Sequence, residues 1–171
     1  MKYFFIICLL LLGITLRAQP TGIKPTDWFT ISGAVKNEVV ISIADLVKYK
    51  QERLGDIVVK KYRGDAPDTI KGLSGILLRS LLDSVTIADE NPKAYNEYYI
   101  TLVASDGYKN VYSWNEIFNT PVGDHIYIIT EMDGKTITQM PQRILVMSLS
   151  DFISGRRHLI GLTDIVFKKA G

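Results

Sequence analysis

A chain of 171 residues that is 47% hydrophobic, 10% aromatic and 22% charged can bury a proper core, which excludes disordered, collagen-like and solenoid architectures. The formal charge is +2, from 20 Lys+Arg against 18 Asp+Glu. Lys2 and Arg17 lie in a segment expected to be removed, which leaves 18 against 18, and a balanced charge gives no general attraction to nucleic acid or acidic membranes. Cys8 is the single cysteine, so neither a disulfide framework nor a multi-thiolate metal site can be built from this chain.

Residues 1–18 read as a cleaved export signal. Met1-Lys2-Tyr3 is a short basic start, Phe4 to Leu12 an apolar core, and Thr15-Leu16-Arg17-Ala18 ends on a small residue. Arg17 interrupts the apolar run well before the roughly 20 residues that a membrane span needs, so no stable anchor is expected after cleavage. The basic start has no Arg-Arg pair, which points to the general secretory route that threads an unfolded chain. The expected location is the periplasm or the outside medium. Cys8 leaves with the signal, and the mature chain from Gln19 then has no thiol.

Residues 19–28 form an N-terminal extension, and 29–171 are expected to form one domain. Phe29 to Val35 alternates like a strand. Ile41 to Val47 follows, with Ser42 as a helix N-cap and Asp45 three residues on, which predicts a short helix. Ile57 to Tyr62 reads as a second strand, broken at Gly64-Asp65-Ala66-Pro67-Asp68. Leu73, Ile76, Leu77, Leu78, Leu81 and Leu82 recur at helical spacing after Ser74 and predict a buried helix to about Ser84. Asp89 to Lys93 is an exposed loop. Tyr98 to Ala104 and Lys109 to Ser113 flank Ser105-Asp106-Gly107-Tyr108, a strong hairpin signal. Ser113 to Phe118 reads as a short helix, and a second hairpin, Ile126 to Thr130 and Thr136 to Thr138, turns at Asp133-Gly134. Arg143 to Met147 and Leu162 to Phe167 supply further strands. Hairpins outnumber helices, so the class is α+β with a mainly antiparallel sheet or barrel and short helices.

Few of these segments carry chemistry. Gly72-Leu73-Ser74-Gly75 falls short of the G-x-S-x-G nucleophile elbow, since its second glycine comes one place early, and it reads instead as a helix cap. His125 and His158 have no metal-ligand spacing, and the cations Arg156 and Arg157 are expected to depress the basicity of His158. Arginine and glycine concentrate at strand ends, at Arg63-Gly64, Arg143 and Ser154-Gly155-Arg156-Arg157-His158. A guanidinium fork beside approachable backbone amides suits a phosphate or carboxylate, although the same residues also serve as ordinary loop cations.

In order, Phe29 to Val35, Ile43 to Leu46, Lys71 to Leu82, Ala104-Ser105-Asp106-Gly107-Tyr108, Met140-Pro141-Gln142-Arg143-Ile144-Leu145-Val146 and Leu159 to Phe167 resemble the molybdopterin-binding domain of the sulfite oxidase family. The resemblance covers nearly the whole mature chain. It implies the α+β sulfite-oxidase-type fold and, in active relatives, a pocket that holds the phosphate of a pyranopterin with arginines and backbone groups and binds molybdenum partly through a cysteine. Carried onto this chain it picks out Arg63, Arg143, Arg156 and Arg157 with Asp106 and Tyr108 of the turn, and the neighbouring Ser105, Gly107 and His158 complete the candidate set picked out in the sequence. Two departures stand out: Lys61-Tyr62-Arg63 occupies the place of the metal-ligating cysteine, and Thr69-Ile70-Lys71 that of a tryptophan. Lys, Tyr and Arg do not replace a soft thiolate.

The sequence therefore leads to an exported, molybdopterin-binding-domain-like protein without redox-active molybdenum, which binds a small anionic or pterin-type ligand in a basic pocket and has no assigned catalytic or metal residue. A molybdopterin-dependent oxidoreductase is the rival reading. A protein-docking module is the third, motivated by Tyr95, Tyr98, Tyr99, Tyr108 and Tyr112.

Overall fold

The computed structural model describes residues 22–60, 66–141 and 143–171. The expected signal peptide, Gln19, the Lys61-Tyr62 end of the second strand, the Gly64-Asp65 break and the candidate Arg63 lie outside the described residues.

Alternating side chains build β1 (Trp28–Gly33), whose Phe29 and Ile31 face inward and are buried. It turns into β2 (Val39–Ser42), and Ser42 then caps the 3-10 helix Ile43–Lys48. The expected cap forms in full: the Ser42 hydroxyl accepts from the Asp45 amide at 3.2 Å and the Ser42 amide donates to the Asp45 carboxylate at 3.0 Å. Next come β3 (Gln51–Val59), β4 (Asp68–Leu77) and the one-turn helix α1 (Leu78–Leu82).

The long helix expected from Ser74 is thus mostly strand. Ser74 lies inside β4 and caps nothing, and Gly72-Leu73-Ser74-Gly75 is neither elbow nor helix start. Leu73 and Ile76, three apart, are both buried within the strand and thereby imitate a helical period. Just before them β4 carries a bulge: Ile57 pairs Ile70 while Gly55 pairs Leu73, which leaves one extra residue around Gly72 at φ 58°.

The 3-10 helix Pro92–Glu97 leads into β5 (Tyr98–Ala104) and β6 (Lys109–Ser113), joined by the expected Ser105–Tyr108 turn. Ser113 and Glu116 form a second capping box at the start of α2 (Trp114–Phe118). A short 3-10 turn, Gly123–His125, precedes β7 (Ile126–Met132), which turns at Asp133-Gly134 into β8 (Lys135–Thr136). The chain ends with β9 (Leu145–Ser148), the 3-10 turn Ser154–Arg157, β10 (Leu159–Ile160) and β11 (Leu162–Lys169).

Two sheets result. One has the order β2-β1-β11-β5-β6, the other β10-β9-β7-β4-β3 with β8 beside β7. All pairings between these strands are antiparallel except β1 with β11. Phe29, Ile100 and Ile165 from the first sheet share one buried cluster with Ile76, Ile128 and Val146 from the second. The segment from β9 to β11 crosses from one sheet to the other, and Ile144 accepts the amides of both Gly161 and Leu162 at the crossing, at 2.8 and 3.0 Å. Among the described residues no helix is long and apolar enough to cross a membrane.

Gly33 closes β1 at φ 91°, and a Cβ built there would lie 2.2 Å from the Phe167 carbonyl oxygen on the parallel neighbour β11. Gly33→Ala combines left-handed strain with that clash, and urea unfolding is expected to show a loss of about 1–3 kcal/mol; an unchanged midpoint would contradict the β1–β11 pairing.

Candidate ligand-binding site

The β5–β6 turn and the crossing segment are tied to each other. Asp106 accepts the Tyr108 amide at 2.9 Å, and Gly107, at φ 86°, lets the chain reverse. Ser105 exchanges two hydrogen bonds of 2.9 Å with the backbone of Lys24, and its own amide donates to Gly161 at 2.8 Å. Beyond the turn, the Tyr108 hydroxyl donates to the Arg156 carbonyl at 2.5 Å and the Asn110 side-chain amide donates to the Arg157 carbonyl at 3.1 Å. Seven of the nine residues picked out in the sequence, Ser105 to Tyr108 and Arg156 to His158, therefore sit side by side.

Two clefts flank this junction. The smaller, of about 200 Å³, is bounded by Asp106, Tyr108, His158, Ala104, Ile23 and Ile160. That is below the roughly 300–1,000 Å³ usual for small-molecule sites. The larger, of about 540 Å³, has apolar walls from Pro121, Val122, Phe152 and Ile153, with Asp151, Arg156 and Arg157 at its rim.

Arg143 does not join them. It stands at φ 56°, forms an ion pair with Asp27, and lines a separate cleft of about 510 Å³ with Ser42, Ile43 and Val47. No described cleft is bounded by both Arg143 and Arg156. The expected pocket with arginines converging from several strand ends is thus replaced, among the described residues, by one arginine pair and one remote arginine.

Arg157 is the most elaborated side chain of the site. Its guanidinium carbon lies 4.5 Å from the centre of the Tyr112 ring, a cation–π stack. Its Nε lies 3.4 Å from Asp151 and its Nη2 3.5 Å from Glu116, both longer than the roughly 2.7–2.9 Å of a tight charge-assisted bond. Beneath it, Tyr112 Oη and Ser148 Oγ are fully buried, and neither makes a hydrogen bond of normal geometry to a described residue. Burial pushes the Tyr112 hydroxyl up to about 12, although Arg157 and Ser148 lie close enough to act in the opposite direction, so it stays protonated at neutral pH.

Sequence reasoning missed Asn110, Glu116, Asp151 and Ser148. Only Glu116 had a local signal, the Ser-x-x-Glu capping pattern; Asn110 and Ser148 lie far from the arginines in sequence, and Asp151 shares their loop without a motif that marks it. Tyr98 and Tyr112, offered as docking tyrosines, are 4% and 0% exposed and belong to the core, while Tyr108 is 47% exposed. The depressed basicity expected for His158 is present, but its cause is burial and not the neighbouring arginines.

The residues present do not fit molybdenum. No cysteine follows Cys8 in the sequence, and among the described residues no three of His, Cys, Asp and Glu come together. Arg156 and Arg157 fit an anionic group.

No protein-family model and no curated protein matches the chain. Among solved structures it is similar to the sulfane dehydrogenase SoxCD from Paracoccus pantotrophus, with a TM-score of 0.57 and 10% identity over 82% of this chain. The chain spans 37% of that protein's length. The likeness shows the fold, α+β and mainly antiparallel, of the sulfite-oxidase type.

Because the folded protein holds His158 below its ordinary value of 6.5, the unfolded chain takes up the proton first as pH falls. The His158 contribution to stability is complete above that value and is lost below it, down to the folded value. Urea midpoints measured from about pH 7.5 to about pH 5 are expected to fall less for His158→Gln than for the unmodified protein; parallel curves would show that His158 is not desolvated.

Proposed function

We propose that the protein is an exported relative of the sulfite-oxidase-type molybdopterin-binding domains that carries no redox-active molybdenum and takes a small ligand, by its anionic group, in the cleft beside Phe152, Arg156 and Arg157. The observation that carries this reading is the fixing of the Arg156 and Arg157 backbone by Tyr108 and Asn110, which brings two guanidinium groups to the rim of a ligand-sized cleft. The missing thiolate supports the loss of metal chemistry, and the likeness in fold supports the relationship to those domains.

The chemistry of the site is binding and not turnover. Arg157 supplies a planar fork whose carboxylate contacts are long enough to be exchanged for a ligand's oxygens. Pro121, Val122, Phe152 and Ile153 exclude water from one side of the bound molecule, which strengthens those contacts.

Calorimetric titration of the mature protein with sulfate, phosphate and a pterin phosphate tests this. At least one is expected to saturate, with affinity roughly ten- to hundredfold weaker in Arg157→Ala, as for loss of a charged hydrogen-bonding group, and unaltered in Arg143→Ala. Binding lost with Arg143 and retained without Arg157 would place the ligand in the other cleft and refute the assignment.

A further inference from the structure

We infer that the ligand of this cleft is a zwitterion of the amino-acid type, with an apolar side chain, its carboxylate on Arg157 and its ammonium on Asp151. This rests on the preceding reading that the cleft takes a small molecule by an anionic group, and it names the molecule's class.

The first ground is the local charge. Arg156 and Arg157 are matched by Asp151, on the same rim, and by Glu116, on the far side of Arg157. A simple anion that reaches Arg157 also meets Asp151, and a simple cation that reaches Asp151 also meets Arg157. In each case like charges stand a few ångströms apart in a partly desolvated cleft, and the repulsion weakens binding without abolishing it. A molecule with both charges on adjacent atoms turns both contacts favourable.

The second ground is the pair of orphan hydroxyls. Tyr112 comes from β6 in one sheet and Ser148 from the end of β9 in the other; the Arg157 guanidinium lies over the Tyr112 ring, and Ser148 lies near the Tyr112 hydroxyl behind the cleft wall. Each is wholly buried without a normal hydrogen bond to a described residue, a costly state for a polar group. Both can donate to one carboxylate oxygen. A carboxylate that draws the Arg157 fork off its two long contacts reaches them, and the guanidinium and both hydroxyls then share its oxygens.

The third ground is the wall opposite. Phe152 is 94% exposed and, with Ile153, Pro121 and Val122, bounds the cleft next to Asp151. An exposed aromatic beside an apolar hollow gains by covering a ligand's hydrocarbon side chain.

The test compares three probes with one hydrocarbon skeleton against the full mature chain: leucine, isocaproate, which lacks the ammonium, and isoamylamine, which lacks the carboxylate. Leucine is expected to bind at least about tenfold more tightly than either. Asp151→Asn is expected to abolish that preference and to improve isocaproate. Tyr112→Phe is expected to weaken leucine while raising the thermal midpoint, because it removes an unsatisfied buried hydroxyl. Isocaproate binding as tightly as leucine would overturn the zwitterion and leave the anion-binding reading standing. Failure of leucine, isocaproate, sulfate and phosphate alike would overturn both. Leucine affinity unaffected in Tyr112→Phe, with a higher midpoint, would mean that the hydroxyls enclose solvent only and would overturn their part in recognition.

Discussion

The site depends on two hydrogen bonds that reach from a hairpin to a loop. Tyr108 and Asn110, on the β5–β6 hairpin, hold the carbonyls of Arg156 and Arg157. Those carbonyls belong to the loop between β9 and β10, two paired strands of one sheet, and the chain passes to the other sheet only after Ile160. A loop of that length is ordinarily the loosest part of a fold. Here its backbone is fixed at successive residues, and the arginine side chains are presented from a set position. Ser154 and Gly155 add a third tie, to the backbone of Lys60, at 3.4 and 3.3 Å.

From that tie the rest of the site follows. Once the Arg157 backbone is fixed, its side chain lies across Tyr112 and between Asp151 and Glu116. Glu116 is itself held by the capping box of α2, where the Ser113 amide donates to it at 2.7 Å. The arginine is placed by three different elements, β6, α2 and the loop of Asp151, and only the last is close to it in sequence. The buried hydroxyls of Tyr112 and Ser148 beside it cost the protein stability.

Much of this was legible in the sequence where the signal was local. The Ser42–Asp45 box, the Ser105–Tyr108 turn, the Asp133-Gly134 hairpin and the helix after Ser113 all depend on residues within a few positions of one another. The end of β4 was read as helix because Leu73 and Ile76 are both buried within the strand and continue, at helical spacing, into Leu78, Leu81 and Leu82 of α1. The same distinction governs the site. The turn and the Arg156-Arg157 pair were visible as residue types, and their junction was implied by family resemblance. Asn110 and Ser148 were invisible because each acquires its meaning only through contacts between distant strands, and Asp151 because no local motif marks a loop that folds back on itself. Arg143 shows the reverse: its residue type suggested the pocket, and its position beside Asp27 removes it.

Fold and chemistry are separate here. The α+β fold of the sulfite-oxidase type is present, while no cysteine follows Cys8 to supply a thiolate. The loss of metal chemistry is tested most directly by elemental analysis, with fluorescence of released pterin, on protein purified from its own host. Neither molybdenum nor pterin is expected at a stoichiometric level. Molybdenum near one atom per chain would contradict that loss and require a metal ligand other than cysteine.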